Sequence, residues 1–193
     1  MSSKLKLLIL ICFFSYTQFD CCSLLSAEEL THTPMKLIFD TDMGNDIDDA
    51  LALGVIHALQ SRGECELLAV TVSKDNPMAV RFCDAINTFY LRGTIPVGKV
   101  RDGKTPEPGK FLPLVDVMDE GQPRFPHSLT GTEEDTPEAY LLLRQILSEQ
   151  PDNSVVIAVV GFSTNIARLL DSKQTTSPLS GVELVAKKSV SYP

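Results

Sequence analysis

Positive charge is in short supply: 17 lysines and arginines face 25 aspartates and glutamates in 193 residues, a net charge of -8. Such a chain repels phosphate backbones, which excludes nucleic acid as a ligand. Long hydrophobic runs are missing too. The apolar stretch Leu7–Phe14 is too short to span a bilayer. Cysteine is sparse, and of the five, Cys12, Cys21 and Cys22 crowd the amino terminus. Cys65 and Cys83 are too few for a disulfide scaffold and, lying in apolar segments, read as small buried hydrophobes. Histidine occurs only at His32, His57 and His127, none in a pattern that marks an acid or a ligand. The methionines and aromatics form no stripe that would line a cofactor, and no internal repeat is present. What remains, 44% apolar and 22% charged residues, is the composition of a soluble globular chain with one core.

The first segment reads as an address. Lys4 and Lys6 precede the Leu7–Phe14 run, as in the charged and apolar regions of a secretory signal, with a cut expected near Ala27. Residues 1–27 are therefore expected to be removed, and the remainder to be secreted or periplasmic with no stable membrane insertion. Strands and helices then alternate. Met35–Phe39, Leu67–Val72, Ile95–Gly98 and Ser154–Val160 are short β-rich runs. Helical patterns follow from Ala50 to Leu59, from Met78 to Leu91, from Thr136 to about Glu149 and from Thr164 to Leu170. Between residues 100 and 135, five prolines and four glycines interrupt any periodicity, so a long excursion is expected there. Strands separated by helices imply parallel pairing, hence an α/β fold with a mostly parallel sheet flanked by helices. In such folds functional groups gather at the C-terminal ends of the strands.

At such an end lies the chemistry. Asp40-Thr41-Asp42-Met43-Gly44-Asn45-Asp46-Ile47-Asp48-Asp49 carries five aspartates in ten residues. Carboxylates drawn together raise one another's pKa unless a cation neutralises them, and hard oxygen ligands select Ca²⁺ or Mg²⁺. The start of the following helix favours Asp48 and Asp49 by about 1 kcal/mol at most, too little to gather five. Two flanking helices and a closing glutamate, the marks of an EF-hand, are absent.

The run Ile38–Leu53, IFDTDMGNDIDDALAL, resembles the amino-terminal signature of the inosine-uridine preferring nucleoside hydrolases. Further similarity lies in Val72–Pro77, Asp84–Asn87 and Val160–Ala167, so the resemblance runs from about Lys36 to Lys188. It implies a nucleoside-hydrolase-like, Rossmann-like domain over residues 35–188, a small-molecule ribonucleoside as substrate and Ca²⁺ as cofactor. It implies that Asp42 is both a metal ligand and the base for the attacking water. Asp49 would be a second ligand and the backbone carbonyl of Thr164 a third, while Asp48 and Asn76 would contact ribose. Asp40 and Asp46 would stand behind the ligands, Asp46 without a set role because two extra residues separate Gly44 from Asp48. The family's closing His-Asp pair has no counterpart before Pro193, so the domain is expected to be incomplete at its C-terminus. A homo-oligomer is compatible with all of this. Two other readings stay open: a haloacid-dehalogenase-type phosphatase, in which Asp40-Thr41-Asp42 would supply the nucleophile, and a truncated chain that binds metal or sugar without turnover.

Overall fold

Ile38 and Phe39 are neighbours in β1 (Met35–Thr41), and both are fully buried, but in opposite layers. A strand turns successive side chains to opposite faces, so this alternation assigns the helices to their sides. In the computed structural model, which describes residues 33–173 and 177–190, Phe39 packs with Leu53 and Ile56 of α1 (Asp48–Ser61). The same cluster takes in Ala79, Val80 and Cys83 of α2 (Pro77–Phe89). Ile38 packs on the far side with Leu142, Leu143 and Leu147 of α3 (Ala139–Glu149), Leu169 of α4 (Thr164–Asp171) and Leu184 of α5 (Gly181–Lys188). The expected secretory leader, residues 1–27, lies outside the described residues.

The main sheet contains β2 (Cys65–Lys74), β3 (Val97–Lys104) and β6 (Val155–Val159) with β1, all parallel, in the order β3-β2-β1-β6. The α/β fold expected from the alternating pattern is the one observed. The chain steps outward from β1 to β2 to β3 and then returns to place β6 on the other side of β1. That reversal, between β1 and β6, is where folds of this kind place their functional groups, at the C-terminal ends of the strands.

Two boundaries differ from the sequence reading by more than an end or two, and one contact explains the second. β3 was expected to stop at Gly98 and instead runs to Lys104, whose carbonyl accepts from the Asp75 amide. α3 was expected from Thr136 and begins at Ala139, because the Lys99 amide donates to Pro137 O and draws residues 137–138 alongside β3. The excursion after β3 holds a 3-10 turn at Leu112–Asp116 and a small hairpin of β4 (Met118–Asp119) and β5 (Gln122–Pro123). Asp84 pins it from α2: one carboxylate oxygen accepts from the Ser128 amide at 2.6 Å and the Leu129 amide at 2.9 Å. α5, with its Ser180–Glu183 capping box, had not been expected, and beyond it Val190 N donates to Val155 O beside the outer edge of β6. Among the described residues no helix is long and apolar enough to cross a membrane.

His57 is a packing histidine on the inner face of α1. Its ring is fully buried, stacked on Tyr90 at 4.6 Å between centroids. The Arg92 guanidinium can only donate to Nδ1, so Nε2 carries the proton and donates to Asn87 Oδ1 at 2.8 Å. Burial pulls the ring's pKa below 6.5, and Arg92 adds to the effect against the Asn87 contact. The unfolded chain therefore takes up this proton at a higher pH than the folded one. The contribution to stability is whole above about pH 6.5 and declines as the pH falls toward the folded value. Denaturant melts at pH 7.5 and pH 5.5 should show an acid loss that is smaller in His57→Gln than in the parent, although the variant starts about 1–3 kcal/mol less stable for want of the buried hydrogen bonds. An equal loss in both proteins would assign the acid sensitivity elsewhere. Cys65 and Cys83 are free and buried, as their apolar setting implied.

Candidate functional site

The segment between β1 and α1 is shaped by three local facts. Gly44 has φ +111°, a backbone state that other residues rarely adopt, and a Cβ there would strike the buried Leu112 side chain of the excursion. Gly109 lies close against the Gly44 carbonyl, so the excursion packs directly on this turn. Thr41, the last residue of β1, accepts from the Met43 amide at 3.1 Å and donates to the Asp49 carboxylate. The turn is thus tied to the first residues of α1.

The aspartates then sort by depth. Asp40 is fully buried, and its Oδ2 accepts from Thr71 Oγ1 at 2.6 Å and Asn165 Nδ2 at 2.8 Å, joining β1 to β2 and α4. Burial raises it to about 6; the two donors lower it and the Asp42 charge raises it further. Asp42 is half-buried and takes a hydrogen bond of 2.5 Å from Asn45 Nδ2. The carboxylates of Asp46, Asp48 and Asp49 have ligating oxygens within 4.8 Å of one another. Asp42 joins them through contact with Asp49. Asp46 and Asp48 are exposed and share a hydrogen bond that raises Asp46, the donor, and lowers Asp48, the acceptor.

Asp49 is the informative member. It is 4% exposed, and its Oδ2 is buried without a hydrogen-bond partner. Burial pushes it up to about 7, the Thr41 hydroxyl opposes this, and the charges of Asp42 and Asp48 reinforce it. A buried carboxylate with an orphaned oxygen, facing two further carboxylates, is costly in water alone and is satisfied by a hard divalent cation. The donor set, all oxygen and highly anionic, fits that kind of ion.

The other expected residues lie on neighbouring strand ends. Thr164 is the first residue of α4, half-buried, after the loop that follows β6. Gly161 in that loop lies against the backbone of Thr41 and Asp42, and Ser73 of β2 fastens the pair, donating to Thr41 O at 3.1 Å and accepting from Phe162 N at 2.9 Å. Asn76 is the N-cap of α2; its Oδ1 accepts from the Met78 amide at 2.8 Å and its Nδ2 donates to Pro106 O at 2.5 Å. His127 only reaches the carbonyl of Phe125 in the excursion. Thr41, Asn45, Ser73 and Lys74 were not singled out from the sequence, although all four border the acidic turn or the end of the next strand. Asp40, which the phosphatase reading needs as nucleophile, is sealed from solvent with its Oδ2 already bonded twice, so nothing here favours that reading.

A solved plant nucleoside hydrolase, the PpNRh1 enzyme, is similar at 26% identity and a TM-score of 0.48, over 69% of this chain and 42% of that one. The chain thus spans under half the length of that enzyme. Among curated proteins none matches the chain. The model of the family described as inosine-uridine preferring nucleoside hydrolase matches residues 37–181, a span that takes in the acidic turn, Asn76 and Thr164. With its aspartates gathered at the reversal point of a parallel sheet, and with that match over most of its length, the chain belongs to the inosine-uridine preferring nucleoside hydrolase family.

Proposed function

We propose that this chain hydrolyses the N-glycosidic bond of ribonucleosides, giving ribose and free base, with Ca²⁺ as its metal. The observation that carries the reading is the orphaned, buried Oδ2 of Asp49 among the carboxylates of Asp42, Asp46 and Asp48. Asp42, Asp49 and the carbonyl of Thr164 would hold the ion. When bound, it would supply a positive centre that acidifies the attacking water and fixes the sugar's vicinal hydroxyls.

The rest falls to side chains. Departure of the base leaves positive charge on the sugar carbon and ring oxygen, and water must arrive on the opposite face. Asp42, half-buried beside the ligand Asp49, accepts the water's proton. Asp48 is exposed at the mouth of the turn and accepts from a ribose hydroxyl. Asn76 has its carbonyl committed to Met78 and one amide hydrogen to Pro106, which leaves the second amide hydrogen for ribose. Nothing in this scheme needs a Ser or Cys nucleophile. The proposed export of the chain would place the site where calcium is plentiful, and extracellular sites work with dissociation constants of about 10⁻⁴–10⁻³ M.

The test is release of hypoxanthine from inosine by this chain with calcium and with chelator, and p-nitrophenyl phosphate as the control substrate. Cleavage of inosine that stops in chelator supports the reading; phosphatase activity alone, or no turnover at any calcium concentration, removes it. Asp42→Asn keeps the size and loses the base, so kcat should fall by about 10²–10⁴ while KM for inosine changes little. A drop confined to KM would make Asp42 a binding group only.

A further inference from the structure

Lys74 ends β2, and its side chain is 1% exposed. Lysine is almost never so buried unless paired, because an ammonium removed from water must be compensated. Its Nζ donates to Asn45 Oδ1 at 2.8 Å, and Asn45 Nδ2 donates to Asp42 Oδ2 at 2.5 Å. The carboxylates of Asp42 and Glu107 also lie within its field. The ammonium bonds no carboxylate of the acidic turn directly among these contacts; it reaches Asp42 through the Asn45 amide.

Donor and acceptor chemistry fixes the sense of that amide. A lysine ammonium has three donors and no acceptor, and an ionised carboxylate has acceptors only. An amide between them must therefore turn its oxygen to Lys74 and its nitrogen to Asp42, and the reversed orientation would lose both bonds. Charge on the lysine polarises the amide and strengthens its N–H toward the carboxylate. With Oδ2 held in this way, Oδ1 of Asp42 is the oxygen left to face a ligand. We propose that Lys74 and Asn45 are positioning residues, the buried ammonium clamping the Asn45 amide so that it fixes the Asp42 carboxylate in one orientation. This rests on the role given above to Asp42, and it adds a device that neither the acidic motif nor the strand pattern discloses.

Four variants of the full chain decide the matter: Lys74→Met, Asn45→Ala, Asn45→Asp and the double variant Lys74→Met/Asn45→Ala. Partners behind a metal ligand typically cost 10–100-fold in metal affinity or activity when removed. Asn45→Ala should weaken calcium binding by about 10-fold in calorimetry and lower kcat for inosine about 10-fold, with KM within about 2-fold. Lys74→Met should lower kcat similarly, and the double variant should be no worse than either single one, because one linkage is broken in all three. Asn45→Asp keeps an acceptor for Lys74 but has no donor for Asp42. It should lose as much kcat as Asn45→Ala, where a purely structural role for Lys74 would leave it unharmed.

A readout independent of turnover is the side-chain amide resonance of Asn45 in ¹⁵N-labelled protein. It should shift on Asp42→Asn in the parent and cease to respond to Asp42→Asn once Lys74 is Met. Additive losses, a fully active Asn45→Asp, or an Asn45 resonance that ignores Lys74 would each overturn the clamp. A parent chain that neither binds calcium nor cleaves inosine, with the resonance behaving as stated, would remove the hydrolase reading and leave the clamp standing.

Discussion

Asp49→Ala should abolish calcium binding and inosine cleavage together, while Asp49→Asn makes the metal-free chain more stable than the parent at neutral pH. Both results come from the same buried carboxylate. Its Oδ2 has no partner, and burial with the charges of Asp42 and Asp48 raises it to about 7 from an ordinary 3.8. The folded state therefore holds this proton more tightly than the unfolded chain. Stability is whole below about pH 4, falls between pH 4 and 7 as the unfolded chain ionises first, and stays reduced above. One pKa unit corresponds to about 1.4 kcal/mol; discounted for screening and for sharing of the effect with Asp42 and Asp48, the loss at pH 8 is about 2 kcal/mol. Asp49→Asn should regain roughly that amount in a urea melt with chelator at pH 8 and nothing at pH 4. Calcium should act oppositely on the parent, adding about 2.7 kcal/mol at a hundred times its dissociation constant. Against this, Asp49→Ala should weaken calcium at least about 100-fold, the upper end of what losing even a partner behind a ligand costs. A variant that binds calcium like the parent, or turns over in chelator, would remove Asp49 from the site.

The fold was legible because β1 and β2 are apolar runs that fit only a sheet buried on both faces. Residues 154–160 and 155–159 differ by an end or two between expectation and structure, as frayed ends do. The acidic turn was legible as well, since five aspartates between a strand and a helix have few other uses. What stayed hidden depends on contacts across the chain. The start of α3 is set by the Lys99 amide on β3, which holds the carbonyl of Pro137, thirty-eight residues further along the chain. Asp46 looked supernumerary in the motif, yet the turn brings it within 4.8 Å of Asp48 and Asp49. Lys74 follows an apolar run, where a charged residue ordinarily marks the way out to solvent; instead it is buried, with its Nζ on Asn45 Oδ1 and the Glu107 charge of the excursion acting on it. The excursion itself read as a long loop, and its packing on the acidic turn was invisible because Leu112 and Gly109 reach Gly44 from more than sixty residues away.

Gly161→Ala should be the most damaging small substitution in the crevice. A Cβ there would come within 2.4 Å of Asp42 N, 2.5 Å of Ser73 Oγ and 2.6 Å of Thr41 C. Two of those atoms are backbone of β1 and its turn, which cannot rotate aside as a side chain can. The loop after β6 must withdraw instead, breaking the hydrogen bond from Phe162 N to Ser73 Oγ that ties it to β2. Overpacking in a tight interior costs about 1–3 kcal/mol, and the lost hydrogen bond adds about 1 kcal/mol more. A loss of about 3 kcal/mol lowers the melting temperature of a chain this size by roughly 10 °C. Retreat of the loop would also move Thr164, the proposed third ligand, so on that proposal calcium affinity should fall even where the variant remains folded. Gly54→Ala is the control: in mid-helix on α1, its Cβ would make ordinary contact with Tyr90 Oη at 3.5 Å, and the better helix former should add about 0.5–1 kcal/mol. Equal melting temperatures for the two variants would show that the loops after β1 and β6 do not meet as closely as Gly161 requires, and the proposal that both contribute ligands to one metal would fall with that contact.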